Sequence, residues 1–442
     1  MKQLCLTAMS ALALTWASSA QTCNGVRYAS EVYPLLSTDF AVPYGENTTF
    51  SGLHQTLTLD MYQPAADTAT ARPLIIWAHG GSFMYGTSLD HDVKTLSEDF
   101  AKMGYVCASI NYRLGSKLLL DSNTMVQAVI RAEQDMKAAI RFFYKDRLTN
   151  NTYAIDTNNI YIGGASAGAI TALHVAYLRR TCEIEPYISS NSHIADSLLT
   201  LLGGIEGNSG NPCYSSTIKG VISLSGALGV YAWLEAGSVP CCSMHGTADA
   251  VVPYGRGIVD PIIPIMYTDG SLMINKQALA VGVTNPFYTW YGAKHVPFDG
   301  SAAYMDTTVN FIRDFLLTRL GIACTPLQPP DAPVGAPVLY AYTPCSTTLP
   351  LPCSAITGTL NYISELLQEV YPNPSTGSVN VVFANNDIHT IELFDIIGKL
   401  VHTGMTSGGT YTFEKGVLSP GIYMLMVSNA KGERSAQKII LY

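Results

Sequence analysis

Gly164-Ala165-Ser166-Ala167-Gly168 constrains this 442-residue chain more than any other stretch. It fits the pattern Gly-x-Ser-x-Gly and stands between two segments of different character. Upstream, Asn159-Ile160-Tyr161-Ile162 is a short β-favouring run behind the polar turn Asp156-Thr157-Asn158. Downstream, Ala167 and the small and apolar residues that follow it read as the opening of a helix able to pack closely on a sheet. A serine at such a junction sits on a sharp strand-to-helix turn with its hydroxyl exposed, and the flanking glycines are expected to let the backbone take that turn. The bland alternative is a glycine-rich turn that happens to hold a serine, so the surroundings decide its weight.

Those surroundings alternate. Leu74-Ile75-Ile76-Trp77-Ala78 and residues 105–112 are near-continuous apolar runs, as expected of strands covered on both faces of a parallel sheet. Between them Leu96, Phe100 and Met103 mark a helix that Gly104 ends. Val126, Val129, Ile130, Met136, Ile140 and Phe143 mark a longer helix before the Ser166 strand. Residues 220–225, 239–244 and 287–291 read as further strands, and a helix around 311–316 closes the unit near Ile322. Residues 55–62 alternate polar and apolar, which predicts a half-exposed antiparallel strand. The whole predicts an α/β fold built on a mostly parallel, doubly wound sheet.

A serine hydroxyl is a weak nucleophile and needs a base to take its proton and a carboxylate to orient that base. Asp249, in His245-Gly246-Thr247-Ala248-Asp249, and His295, in Gly292-Ala293-Lys294-His295, each follow a predicted strand. The order Ser166, Asp249, His295 brings all three to the carboxyl edge of an open sheet, where such sheets hold their ligands. His79-Gly80-Gly81-Ser82-Phe83 follows the 74–78 strand, and the backbone amides of Gly81, Ser82 and Ala167 are the candidates for an oxyanion hole. Phe83 and Tyr85 are candidate substrate contacts. Taken singly, the His79 segment reads equally as a turn, Asp249 as a helix cap and His295 as a strand-end histidine; their joint order argues for chemistry. His245 reads as a brace for the Asp249 turn and His174 as helix packing. His54, His91, His193, His389 and His402 read as surface or loop residues.

Net charge is −8 with a pI near 5.6, which excludes a basic footprint for nucleic acid or an anionic membrane. Residues 1–20 have the layout of a secretory signal peptide, and no later segment is apolar and long enough to span a bilayer. Export would place nine cysteines in an oxidising compartment. Cys345 with Cys353 is the first expected bridge and Cys182 with Cys213 the second, while Cys107 reads as a buried thiol. No cysteine or histidine spacing suits a metal, and no cofactor is expected. Between Cys324 and Cys353 fall 8 of the 23 prolines, so residues 323–367 read as a Pro/Cys-rich, extended linker between a catalytic unit at 21–322 and a small all-β sandwich at 368–442.

Residues from about 50 to 322 resemble an α/β-hydrolase of the carboxylesterase and hormone-sensitive-lipase-like kind. The likeness rests on residues 79–83, Ser109-Ile110-Asn111-Tyr112-Arg113-Leu114, residues 164–168 and residues 245–254. Ser82 stands where a third glycine is commoner, and Ala169 where a second glycine often follows the nucleophile motif. The tail resembles the C-terminal sorting domain of type IX secretion substrates, through Val370-Tyr371-Pro372-Asn373-Pro374, Leu393 to Lys399, Leu418 to Tyr423 and the closing Lys438-Ile439-Ile440-Leu441. Together these imply a secreted or surface-held serine carboxylesterase that acts on acetyl or feruloyl esters of polysaccharides or on polyesters, with the type IX machinery as its export partner. A serine peptidase of the prolyl-oligopeptidase type uses the same fold and residue order, and a binding protein on a hydrolase fold is the non-enzymatic alternative.

Overall fold

A computed structural model of the protein describes residues 23–115, 122–184, 187, 203–260, 264–331, 333–335, 339–344, 366–395, 400–416, 418–429 and 434–442. The expected signal peptide, the expected Cys345–Cys353 bridge and His193 lie outside the described residues.

The strands of the larger unit are β1 (Leu36–Thr48), β2 (His54–Pro64), β3 (Arg72–Ala78), β4 (Val106–Ile110), β5 (Ile155–Ala165), β6 (Gly220–Leu224), β7 (Ala227–Leu228), β8 (Cys241–Gly246), β9 (Arg256–Val259), β10 (Met266–Gly270) and β11 (Phe287–Trp290). Eight of them form one sheet in the order β1-β2-β4-β3-β5-β6-β8-β11. β1, β2 and β4 pair antiparallel, and every pair from β4 to β11 is parallel. This is the mostly parallel sheet that the apolar runs predict. The α-helices among the described residues are α1 (His91–Met103), α2 (Ser122–Leu148), α3 (Ala167–Tyr177), α4 (Ser271–Val281) and α5 (Ala302–Leu320).

Alternation within a single strand feeds two cores. Leu74, Ile76 and Ala78 of β3 join α2, α3 and α4 in one core, while Ile75 and Trp77 join α1 and α5 in the other. Both faces are covered, which is why these strands read as unbroken apolar runs. Gly104 ends α1 at φ 109°, a left-handed cap that a side chain disfavours.

β1 is absent from the sequence reading. Its pairing with β2 shifts register between Asp39 and Val42 and again between Pro43 and Gly45, so its alternation is broken at the points where a pattern would be sought. The bridge expected between Cys182 and Cys213 does not form: Cys182 is disulfide-bonded, but not to Cys213. A bridge that local spacing does not suggest joins Cys23 to Cys324, 301 positions away. Cys107 is a buried free thiol, as its place in a core strand suggests.

Described residues beyond Ile322 also hold to the larger unit. Tyr340 donates its hydroxyl to Asp269 Oδ2 at 2.7 Å, Trp233 Nε1 donates to the Tyr342 hydroxyl at 3.3 Å, and the Val334 amide donates to the Tyr254 hydroxyl at 3.0 Å. The tail strands β12 (Leu367–Tyr371), β13 (Ser378–Phe383), β14 (His389–Asp395), β15 (Leu400–Thr406), β16 (Thr410–Glu414), β17 (Gly421–Asn429) and β18 (Arg434–Leu441) form two antiparallel sheets, β12-β13-β16 and β15-β14-β17-β18. Val379, Val381 and Phe413 of one sheet meet Ile391, Leu425 and Ile439 of the other in a single core, the arrangement of a small sandwich. His389 is buried there, stacked on Phe383 with ring centroids 4.2 Å apart, and so is not the surface or loop residue expected. Its position on the inward face of β14 accounts for this.

Candidate active site

Four loops leave the carboxyl ends of β3, β5, β8 and β11 and meet at one rim of the sheet. Ser166 occupies the corner between β5 and α3 with φ 53° and ψ −117°, a sparsely populated conformation held by its neighbours. Its amide donates to Leu224 O at 2.9 Å, and its carbonyl accepts from the Ile170 amide at 2.9 Å. The flanking glycines act differently from expectation, since neither has a positive φ. They are needed for room: a Cβ on Gly168 would lie 1.9 Å from Ala78 O, and one on Gly164 2.4 Å from the same oxygen. Glycine here lets the turn press against the end of β3.

The other two members reach this corner from separate strands. His295 Nε2 is 2.8 Å from Ser166 Oγ, and His295 Nδ1 is 2.7 Å from Asp249 Oδ2. Their loops are stitched together, with the Ala248 amide donating to Ala293 O at 3.0 Å and the Gly292 amide to Thr247 Oγ1 at 2.8 Å. The Asp249 side chain is sealed from solvent. Burial alone would raise its carboxyl, but hydrogen bonds from His245 and His295 outweigh it and hold the group well below the usual carboxylate range. The Val251 and Val252 amides add bonds to Oδ1, each at 2.9 Å. An ionised Asp249 accepts from His295 Nδ1–H, which leaves Nε2 bare to accept the Ser166 hydroxyl proton.

His245 supplies the fourth donor to Asp249. It is fully buried, with Nε2 3.2 Å from Asp249 Oδ2 and 3.1 Å from Val252 O, and Nδ1 2.8 Å from Ser271 Oγ. Nε2 faces two acceptors, so it carries the proton, and Nδ1 accepts from Ser271. His245 therefore braces the Asp249 turn, as its place in the motif suggests.

The 79–83 loop lies against the serine: a Cβ on Gly80 would sit 3.6 Å from Ser166 Cβ. His79 stacks on Tyr112 with centroids 4.3 Å apart, and the Tyr112 hydroxyl donates to His79 O at 2.9 Å. Arg113, next in the same motif, is buried and donates through Nε to both Asp135 oxygens at 3.0 and 2.9 Å. The 109–114 motif thus anchors the loop that runs beside the nucleophile. Gly81, Ser82 and Phe83 all have positive φ, and the amides of Gly81, Ser82 and Ala167 have no acceptor among the described residues.

A pocket opens beside Ser166 and holds about 720 Å³ of empty space, its mouth included. Ser82, Phe83 and Ala167 stand at the nucleophile end, and Ile170, His174 and Trp233 line it further along. Phe83 is a pocket wall, whereas Tyr85 is half-exposed and lies outside the pocket, contrary to its expected role.

Residues 59–200 match the family described as BD-FAE, and residues 369–442 match the secretion system C-terminal sorting domain. The chain carries a BD-FAE α/β-hydrolase domain and a secretion sorting tail. Carboxylesterase 3 of Pongo abelii is 30% identical over 157 residues, which is 34% of this chain and 26% of that protein. Gut esterase 1 of Caenorhabditis elegans is 30% identical over 122 residues, 28% of this chain and 21% of that protein. The chain thus spans about a quarter of the length of these curated relatives. Among solved structures, esterase 2 of Thermogutta terrifontis phosphorylated by paraoxon superposes with a TM-score of 0.46 at 20% identity, covering 66% of this chain and 97% of that one. The sorting tail marks the protein for export to the surface or beyond.

Within the hydrolase domain, His174 packs edge-on against Trp233 as the sequence suggests, but it also lines the pocket, which the sequence does not show. A histidine inside an apolar helix reads as packing, and the pattern cannot show that this face of α3 borders a void.

Proposed function

We propose that the protein is a secreted serine carboxylesterase in which Ser166, His295 and Asp249 act as a triad. Ser166 Oγ attacks the ester carbonyl carbon while its proton passes to His295 Nε2. The bond to the alcohol oxygen then breaks, and that proton leaves with the alcohol. Water attacks the acyl-enzyme by the same route, giving up a proton to His295, and the acid departs as Ser166 regains its hydrogen. Asp249 keeps His295 in the working tautomer and offsets the charge it gains. The amides of Gly81, Ser82 and Ala167 receive the negative oxygen, each contributing about 3 kcal/mol.

One observation carries this reading: the unbroken relay from Ser166 Oγ to His295 Nε2 at 2.8 Å and from His295 Nδ1 to Asp249 Oδ2 at 2.7 Å. The partly covering match to esterases and the apolar pocket beside Ser166 support an ester as substrate. Residues 1–20 start the export route, and residues 368–442 are the part that the type IX machinery recognises. The substrates are then esters met outside the cell, such as acylated polysaccharides or polyesters. Ser166→Ala is expected to remove at least 10³-fold of the activity on a short p-nitrophenyl ester while the melting temperature stays the same. Retained hydrolysis by that variant would refute the assignment.

A further inference from the structure

The pocket beside Ser166 is closed on one side by a thin wall. Strands β7, β10 and β9 form a three-stranded antiparallel sheet apart from the main one, and they are only 2, 5 and 4 residues long. Ala227 of β7, Met266 and Thr268 of β10 and Val259 of β9 line the cavity. Side chains alternate along a strand and directly paired residues share a face, so the partners Val259 and Met266 look inward while the partners Arg256 and Asp269 look outward. A sheet this short is marginal by itself and needs packing behind it.

What packs behind it comes from the stretch that composition reads as a linker. Tyr340 lies on the outward face: its hydroxyl donates to Asp269 Oδ2 at 2.7 Å, the Arg256 guanidinium sits 4.0 Å from its ring centroid, and its carbonyl accepts from the Tyr231 hydroxyl. The Asp269 side chain is sealed from solvent and takes two further donors, the Tyr231 amide at 2.9 Å and Arg256 Nη1 at 2.9 Å. A carboxylate removed from water must be given donors, so the Tyr340 bond meets a demand of the fold and is more than a passing contact. Two residues on, the Tyr342 hydroxyl accepts from Trp233 Nε1 at 3.3 Å, and Trp233 is itself a buried wall of the pocket. Residues 339–344 thus brace the wall at two points from outside the cavity, whose lining includes neither tyrosine. The Asp331 amide, donating to Phe287 O at 3.2 Å, and the Val334 amide, donating to the Tyr254 hydroxyl at 3.0 Å, lay earlier parts of the same stretch along the larger unit.

On the triad reading proposed above, the pocket takes the acyl group. His295 must protonate the leaving oxygen and is not part of the lining, so the alcohol departs outside while the group bonded to Ser166 extends inward. An acetyl group is too short to leave the nucleophile end. An octanoyl chain, advancing about 1.25 Å per carbon, extends about 9 Å and must lie against the apolar walls.

We infer that Tyr340 and Tyr342 are positioning residues for acyl specificity. A strap from beyond Ile322 holds the β7-β10-β9 wall and Trp233 in place, and so sets how well a long acyl chain is bound. This rests on the triad reading.

The test is the ratio of kcat/KM on p-nitrophenyl octanoate to that on p-nitrophenyl acetate, measured on the full-length protein well below its melting temperature. Tyr340→Ala removes ring and hydroxyl, and should lower the ratio about tenfold through a higher KM for octanoate, with kcat and the acetate reaction little changed. Tyr340→Phe restores the ring over Arg256 and should recover part of the loss, leaving the ratio about threefold down. Tyr342→Phe, which removes only the acceptor for Trp233, should lower it by a similar factor of about three. A merely structural role would lower the melting temperature and leave the ratio at its parental value, and that result overturns the inference. Should Tyr340→Ala not fold, the two phenylalanine variants, each missing one hydroxyl, decide it in the same way. A parent enzyme that cleaves acetate but not octanoate overturns it too, and leaves the triad standing. No hydrolysis of either ester sinks the triad reading and this inference together.

Discussion

Asp249 receives hydrogen bonds from two histidines and two backbone amides, and this concentration is what ties the site together. Each donor does a separate job. The amides of Val251 and Val252 fix the carboxylate plane, His245 holds it from behind, and His295 is held by it in turn. Replacing Asp249 with asparagine keeps the shape but ends the demand for a hydrogen on His295 Nδ1. The expected outcome is a kcat lower by about 10³ to 10⁴-fold with KM little changed, read on a short p-nitrophenyl ester. Activity within tenfold of the parent would mean that the carboxylate does not orient the base. At this scale the sequence was informative because the proposed chemistry restricts residue type: Ser166, Asp249 and His295 stand next to strand ends in an order that few other demands impose. His174 was opaque for the opposite reason. A histidine on a helix looks the same whether it packs against a side chain or faces a cavity.

The elements set these residues in place through close approach. The end of β3, the 79–83 loop and the start of α3 share one small volume, so Gly164 and Gly168 have no room for a Cβ and Tyr112 pins the loop from the far side. Asp92, buried at the start of α1, joins this contact. Its Oδ1 accepts from the Val93 amide at 2.8 Å, and its Oδ2 lies 3.8 Å from where a Cβ on Gly80 would be. Burial pushes its carboxyl up to about 6, against the hydrogen bonds it accepts. A carboxyl whose folded value is raised holds its proton longer in the native state, so its ionisation costs stability as pH climbs from about 4 through 6. Asp92→Asn should therefore raise unfolding stability by about 2 kcal/mol at pH 7.5, with the gain vanishing below about pH 4. Urea unfolding of both proteins at the two pH values checks this; an equal difference at both would remove the ionisation as its cause. Strands and helices with an intact period were legible, as β3 and α1 show. β1 was not, because two register shifts, Pro43 and Gly45 erase the alternation by which a strand is recognised.

At the scale of the molecule, a hydrolase domain precedes a sorting sandwich, and the stretch that reads as a linker does not begin where the composition changes. Cys324 is tied to Cys23, and Tyr340 and Tyr342 bond to residues of the larger unit. Proline-rich composition reports backbone stiffness and says nothing of what a segment lies against, and a disulfide closing 301 positions leaves no local spacing to read. The two units themselves were visible as a change of texture, from long alternating elements to short strands between glycine and asparagine turns. On the proposed reading, their combination lets a chain marked for export carry Ser166 to an external ester. Treatment of the folded protein with a fluorophosphonate, followed by peptide mass spectrometry, tests that central claim most directly. The account predicts a single stoichiometric adduct on Ser166 that forms far more slowly in the His295→Ala variant. An unmodified protein, or an adduct on another residue, would contradict it.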